Sequence, residues 1–179
     1  MWSEAGIEGG PHFRALLYNE PAQMLIAHFE RHYGHWAGEI YTRPLSSETY
    51  SKVPAASKLV SYERPVSAAS ATIIFFNEML HRAEDPAGTD WSCIRALDLR
   101  TGQLRQAATA DTIQIPDGYV GLWVSEIHAV NADGTRLICT IGFEQQVGAL
   151  VKHLDYWLCE LPVQTLVPHQ IRKLQNAFF

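Results

Sequence analysis

One sequence pattern occurs three times in this chain: an apolar strand, a polar segment, and a second strand that closes on a turn. The apolar strands are residues 24–29, 72–76 and 136–140, with Ile26, Ile74 and Ile138 aligned, and the second strands are residues 39–45, 93–99 and 155–161. Repeats of this size are typical of stacked β units such as propeller blades. The repeat therefore predicts a mainly β fold.

Further candidate strands flank each copy of the pattern. They are residues 12–18, 59–66 and 123–130 before the apolar strands, and residues 49–53, 103–107 and 165–168 after the second strands. Asp133-Gly134 is the clearest turn, since glycine accepts the positive φ of a tight hairpin. We therefore expect one domain over residues 1–179. It would hold three four-stranded antiparallel, propeller-like blades at about residues 10–55, 59–108 and 119–168, and a tail at 169–179. Residues 171–179 of this tail would form either a short helix or arm, or a frayed terminus.

The charge and hydropathy of the chain argue against two classes of partner. The 14 Lys and Arg residues are scattered and the formal net charge is −5. Phosphate recognition needs clustered basic residues, so we do not expect nucleic-acid binding. No apolar run is long enough to span a membrane. Residues 1–6 lack the basic and apolar regions of a secretory signal, which favours a cytoplasmic location if the natural chain begins here.

The cysteines, Cys93, Cys139 and Cys159, all fall inside predicted strands and form no CxxC pair. Buried free thiols are the favoured interpretation. Cys139 and Cys159 belong to the same unit, so a disulfide between neighbouring strands stays open in an oxidising compartment.

Histidines are the residues most suggestive of a metal site. His28, His32 and His35 lie close to acidic residues, and a helix would place the first two on one face, as zinc ligation requires. The predicted strand and hairpin favour a polar, solvent-facing loop instead. His128 beside Glu126, and His153 beside Asp155, are interpreted as local hydrogen-bonding pairs.

Common catalytic motifs are absent from the sequence. There is no GxSxG elbow, P-loop or GxGxxG turn. Aromatic residues at strand ends, Trp123 among them, would fill blade interfaces or stack on sugar rings. We therefore assign no catalytic residue, no metal ligand and no cofactor from motifs.

Three segments carry a resemblance to a known family. Residues 97–102, 115–121 and 131–137 resemble the N-terminal blades of oligogalacturonate lyases and, more broadly, TolB-type β-propeller repeats, which share the "LDLxTG" strand end and the Asp-Gly hairpin. His12 and Arg14 resemble a His-Arg element of the family's first blade, where Arg could hold a carboxylate. Together with Trp123 and His128, these two residues form the candidate ligand-binding set. A purely scaffolding role in the first strand is the alternative for His12 and Arg14.

The resemblance implies a binding or assembly module for a saccharide or a protein partner. The alternative is an oligogalacturonate lyase-like enzyme, or part of one, that cleaves acidic oligosaccharides by β-elimination with a divalent metal, manganese; the family's metal ligands are not evident here. Three units cannot close a usual ring, and open faces expose apolar side chains. Self-association, with two copies supplying six blades, or a partner protein would cover them.

Overall fold

The computed structural model describes residues 12–32, 36–54, 60–80, 92–147 and 151–174. Within these residues the chain forms β-strands and no helix. The described part of the chain therefore contains no helix that could span a membrane. The strands form three antiparallel sheets that follow one another along the chain. The predicted mainly β fold with three four-stranded sheets is therefore confirmed.

The first sheet contains β1 (His12–Asn19), β2 (Met24–His32), β3 (Trp36–Pro44) and β4 (Ser51–Lys52), in that order. A turn built around Asn19 joins β1 to β2, because the Asn19 side chain accepts a hydrogen bond from the Ala22 amide at 2.9 Å. The same side chain donates to the carbonyls of Ala71 at 2.8 Å and Ala68 at 3.2 Å in the next sheet. This turn therefore also fixes the first sheet against the second.

The second sheet contains β5 (Val60–Tyr62), β6 (Val66–Ser67), β7 (Ile73–Leu80), β8 (Ser92–Asp98) and β9 (Leu104–Thr109). Both β5 and β6 pair with β7, so they act as one interrupted first strand. The sequence predicted an unbroken strand over residues 59–66. Pro65 lies in the interruption, where its missing N–H cannot join the ladder.

The third sheet contains β10 (Gly121–Val130), β11 (Arg136–Val147), β12 (Val151–Pro162) and β13 (His169–Leu174). The fourth strand was predicted at residues 165–168, which is wrong, and the described part of the tail is a strand rather than a short helix. Leu166 has a φ of 55° and its amide bonds the Pro162 carbonyl at 2.9 Å, so this segment is a turn. The strand begins after Pro168, and residues 175–179 of the predicted tail lie outside the described residues.

The same backbone hydrogen bond closes each sheet. The residue that follows the third strand donates to the residue that precedes the second strand: Leu45 to Gln23 at 3.0 Å, Leu99 to Thr72 at 2.7 Å and Val163 to Thr135 at 2.9 Å. Leu25, Ile74 and Leu137 lie two residues after these acceptors, so they are equivalent positions. Ile26 therefore corresponds to Phe75 and Ile138, and the expected alignment with Ile74 is wrong by one residue.

A shift of one residue matters because successive side chains point to opposite faces of a sheet. We call the side that carries Ile26, Phe75 or Ile138 the front side of its sheet. The back side carries Leu25, Ile74 or Leu137.

Two cores hold the sheets in a stack. The front side of the first sheet packs on the back side of the second through Ile26, Ile40, Val53, Ile74, Phe76, Leu97 and Leu99. The front side of the second sheet packs on the back side of the third through a larger cluster that includes Phe75, Ile94, Leu137, Ile141 and Phe143. In the described residues no strand of the first sheet contacts the third, and no sheet is closed. The stack is open at both ends.

Candidate functional site

The back side of the first sheet faces no other sheet among the described residues. We call it the N-terminal face; its described apolar side chains are Phe13, Leu16, Tyr18, Leu25, Ala27, Phe29 and Tyr41. Phe13 is 57% exposed, Leu16 52% and Tyr18 44%. Three large neighbouring side chains on one strand are thus left to water, whereas isolated exposed apolar residues are the norm on a protein surface.

Aromatic contacts order part of the N-terminal face. The ring of Phe29 meets Phe13 edge-on at 5.7 Å and Tyr41 at 5.6 Å between centroids. The Tyr41 hydroxyl donates to Glu39 at 2.7 Å, and Lys52 bonds the other oxygen of this carboxylate at 2.6 Å. The face therefore combines an apolar strip with a polar rim, the composition common at the core and edge of protein interfaces.

The front side of the third sheet also faces no other sheet in the part of the chain that the structure describes. We call it the C-terminal face; its described apolar positions are Trp123, Ala129, Ile138, Gly142, Leu154, Tyr156, Leu158 and Leu174. Trp123 packs edge-on against Tyr156, with centroids 5.6 Å apart, and its ring lies directly over Gly142. A glycine is needed there because a Cβ would lie 2.7 Å from two ring carbons.

Charged side chains surround the C-terminal face. The charged residues that the strand register places on this side are Glu126, Glu144, Glu160, Arg136, Lys152 and Arg172. Arg136 pairs with Glu160 at 3.2 Å, and both line an open groove of about 400 Å³ at one end of the face. Acidic and basic residues are therefore equal in number on this face among the described residues, three of each.

The structure does not bring the four candidate ligand-binding residues together. His12 and Arg14 lie on β1 of the first sheet, and Trp123 and His128 lie on β10 of the third. Arg14 sits at a bulge and is exposed. The His128 ring bonds the Thr140 hydroxyl at 2.7 Å and lies 3.7 Å from Glu126. The second sheet separates the two pairs, so they form two locations.

The histidine cluster of the sequence lies on β2 and in the segment that follows it. His28 is 1% exposed, so the expected solvent-facing position is wrong for this residue. Its parity in β2 places it on the front side with Ile26, against the second sheet. His35 lies outside the described residues. Within the described part of the chain, no group of three or more His, Cys, Asp or Glu residues is placed to hold a metal.

Sequence reasoning missed a buried polar layer at the end of β7. The Glu78 carboxylate has no exposed surface and accepts a hydrogen bond from Arg95 on the neighbouring strand. Adjacent Asn77 donates to the Val124 carbonyl of the third sheet at 3.0 Å and to Glu63 at 3.3 Å. The available signal was an Asn-Glu pair inside an otherwise apolar strand. A buried polar side chain that loses its partner is strongly destabilising, so Glu78 and Asn77 depend on these hydrogen bonds.

A second buried carboxylate ties the loop before β10 to the third sheet. Asp155 is 4% exposed and accepts hydrogen bonds from the Tyr119 hydroxyl at 2.6 Å and from Lys173 at 2.7 Å. Desolvation, followed by the bond to Asp155, raises the pKa of Tyr119 to about 12. The Tyr119 hydroxyl is therefore a fixed donor rather than a proton-transfer group at neutral pH.

All three cysteines are buried and free, as the sequence predicted. Cys139 and Cys159 lie directly opposite each other on β11 and β12. Burial raises the pKa of Cys93 to about 11 and those of Cys139 and Cys159 to about 12. Thiols of this kind stay protonated and are poor nucleophiles.

The described residues thus define a class of protein: an open stack of three four-stranded antiparallel sheets with two uncovered faces. No family model matches the sequence, and no curated protein matches it. Among solved structures, the chain is similar to TolB from Acinetobacter baumannii, with a TM-score of 0.46 and 13% identity over 96% of this chain and 34% of that one. The chain therefore spans about a third of the length of that TolB chain.

Proposed function

We propose that this chain is a non-catalytic, propeller-type assembly module whose two open sheet faces bind protein surface. The observation that carries the proposal is the exposure of Phe13, Leu16 and Tyr18 on the N-terminal face. The equivalent back sides of the second and third sheets are covered by the preceding sheet. The back side is thus buried in the second and third sheets, whereas the equivalent side of the first sheet is exposed to water.

The energetic argument favours a protein partner. Full burial of one large apolar side chain stabilises by roughly 1.5–3 kcal/mol, so covering the N-terminal face would supply several such increments. Part of that gain offsets the loss of translational and rotational freedom on association. The aromatic side chains of the face, rigid and half-exposed, are of the kind that dominates binding energy at interfaces.

The proposal is tested on the purified chain by light scattering after gel filtration, together with binding of a fluorescent hydrophobic dye. We expect either concentration-dependent association or dye binding by a monomer. Leu16→Asn should weaken whichever is observed. Val120→Asn is the matched control, because Val120 is 56% exposed and lies on neither open face. A monomer that binds no dye, or equal effects of the two substitutions, contradicts the proposal.

Saccharide binding and lyase activity stay predictions of the sequence. Each is testable on its own: acidic oligogalacturonide with manganese should give an unsaturated uronate absorbance that a chelator abolishes if the chain is a lyase. Binding without cleavage, lost in Trp123→Ala or Arg14→Ala, would instead support a saccharide module.

A further inference from the structure

The stack has a direction. In both internal contacts, the front side of an earlier sheet meets the back side of the next one: Ile26 of the first sheet lies in one cluster with Ile74 of the second. Phe75 of the second lies in one cluster with Leu137 of the third. The chain therefore uses a single type of sheet contact twice, always front to back.

The two open faces are one surface of each type. The N-terminal face carries Leu25, which is equivalent to Ile74 and Leu137 on the back sides. The C-terminal face carries Ile138, which is equivalent to Ile26 and Phe75 on the front sides. Among the described residues, one front side and one back side therefore face no other sheet. A front side and a back side are also the two surfaces that pack together twice within the chain.

The charges of the two faces differ. On the N-terminal face, Arg43 and Lys52 outnumber the single acidic residue that the described strand register places there, Glu39. On the C-terminal face, acidic and basic residues are equal in number, as described above. A contact between two N-terminal faces would bring like charges together, so the charges disfavour that pairing.

We propose that each open face is covered by a second copy of this chain, the N-terminal face of one copy against the C-terminal face of the other. This inference rests on the proposed function, because it names the occupant of the faces. The contact is heterologous, so it closes into a ring or continues as a filament. Two copies joined through both contacts would form a ring of six sheets.

The test uses two variants that each block one face. Leu16→Glu places a carboxylate among the apolar side chains of the N-terminal face, where a contact with the other copy would remove it from water. Ala129→Arg places a bulky cation at an exposed position of the C-terminal face, where it would meet the basic rim. Both positions are exposed, so neither change disturbs the cores. Val120→Glu is the control, and far-UV circular dichroism verifies that every variant is folded.

Light scattering is measured for each variant alone and for an equimolar mixture. We expect Leu16→Glu and Ala129→Arg each to raise the apparent dissociation constant by at least about tenfold, with Val120→Glu unchanged. The mixture should recover a complex, because the first variant keeps an intact C-terminal face and the second an intact N-terminal face. Recovery on mixing is specific to a heterologous contact.

Other outcomes overturn the inference. If Ala129→Arg remains a dimer while Leu16→Glu is monomeric, and mixing recovers nothing, the contact joins two like faces. If the native chain is a monomer whose dye binding depends on Leu16, the faces take a different protein, so the inference fails while the proposed function stands. A monomer without dye binding refutes both.

Discussion

Replacing Gly142 by alanine tests the close contact that positions Trp123 on the C-terminal face. The added Cβ would lie 2.7 Å from two carbons of the Trp123 ring. Carbon atoms pack best at about 3.5–4.0 Å, so one group must move by about 1 Å. The ring is held on its other side by Tyr156, with centroids 5.6 Å apart, which restricts that movement.

The expected cost follows from these distances. Overpacking of this kind costs about 1–3 kcal/mol, and the lower entropy of the unfolded alanine chain offsets about 0.4–1 kcal/mol of it. We therefore expect a net loss of about 1–2 kcal/mol. For a chain of this size, that lowers the melting temperature by about 2–8 °C. Thermal unfolding followed by far-UV circular dichroism, at one fixed protein concentration, measures the change.

A neighbouring glycine provides the control. A Cβ at Gly121 would meet only the end of the Glu144 side chain, at 3.2 Å, and a flexible carboxylate can move away. Gly121→Ala should therefore change stability by less than about 0.5 kcal/mol. Adding Trp123→Leu to Gly142→Ala should remove most of the penalty. The reasoning is refuted if Gly142→Ala has the same melting temperature as the native chain, or if the loss of stability remains in the variant that also carries Trp123→Leu.

Three further predictions concern the buried polar groups. Arg95→Met leaves the Glu78 carboxylate buried without its partner and should lower the free energy of unfolding in urea by about 3–5 kcal/mol. The double variant Glu78→Leu with Arg95→Met should recover much of this loss. Equal losses in the single and double variants would contradict the role of the ion pair. Because burial raises the pKa of Cys139 from 9.0 to about 12, only the unfolded chain ionises there between these pH values. The contribution of this thiol to stability is therefore fully present below pH 9 and is lost by about 1.4 kcal/mol per pH unit above it. Cys93 and Cys159, whose pKa values are also raised, add to this fall, so Cys139→Ala should reduce the slope without removing it. Asp155→Asn weakens two hydrogen bonds to a buried group and should cost about 1–3 kcal/mol by thermal melting, while exposed Asp117→Asn should be neutral.

Turns and strands could be predicted from the sequence wherever their conformation depends only on their own residues. The Asp133-Gly134 hairpin forms as predicted: Gly134 has a φ of 77°, and Asp133 accepts a hydrogen bond from the Thr135 amide at 3.1 Å. The three thiols fall inside strands and are buried. These features need no knowledge of which sheet packs on which.

Features that depend on how the three sheets pack on one another could not be predicted from the sequence. β7 is apolar on both sides because it lies in the middle sheet. Its sequence therefore lacks the apolar–polar alternation that would show whether Ile74 or Phe75 is equivalent to Ile26. The candidate ligand-binding residues failed to meet for a similar reason. His12 and Trp123 belong to first strands of different sheets, and only the order of the stack reveals that a whole sheet lies between them.

Equivalent positions on the three back sides show what kind of cover the N-terminal face accepts. Leu97 and Leu161 are buried against a preceding sheet, whereas the equivalent residue of the first sheet is Arg43. Arg43 lies over the Tyr50 ring at 5.3 Å and donates to the Ser47 carbonyl, so its charge is accommodated within its own sheet. A face built in this way tolerates water at its rim, as reversible interfaces do. Stacking between copies should therefore depend on concentration, and its loss should leave the three-sheet unit folded.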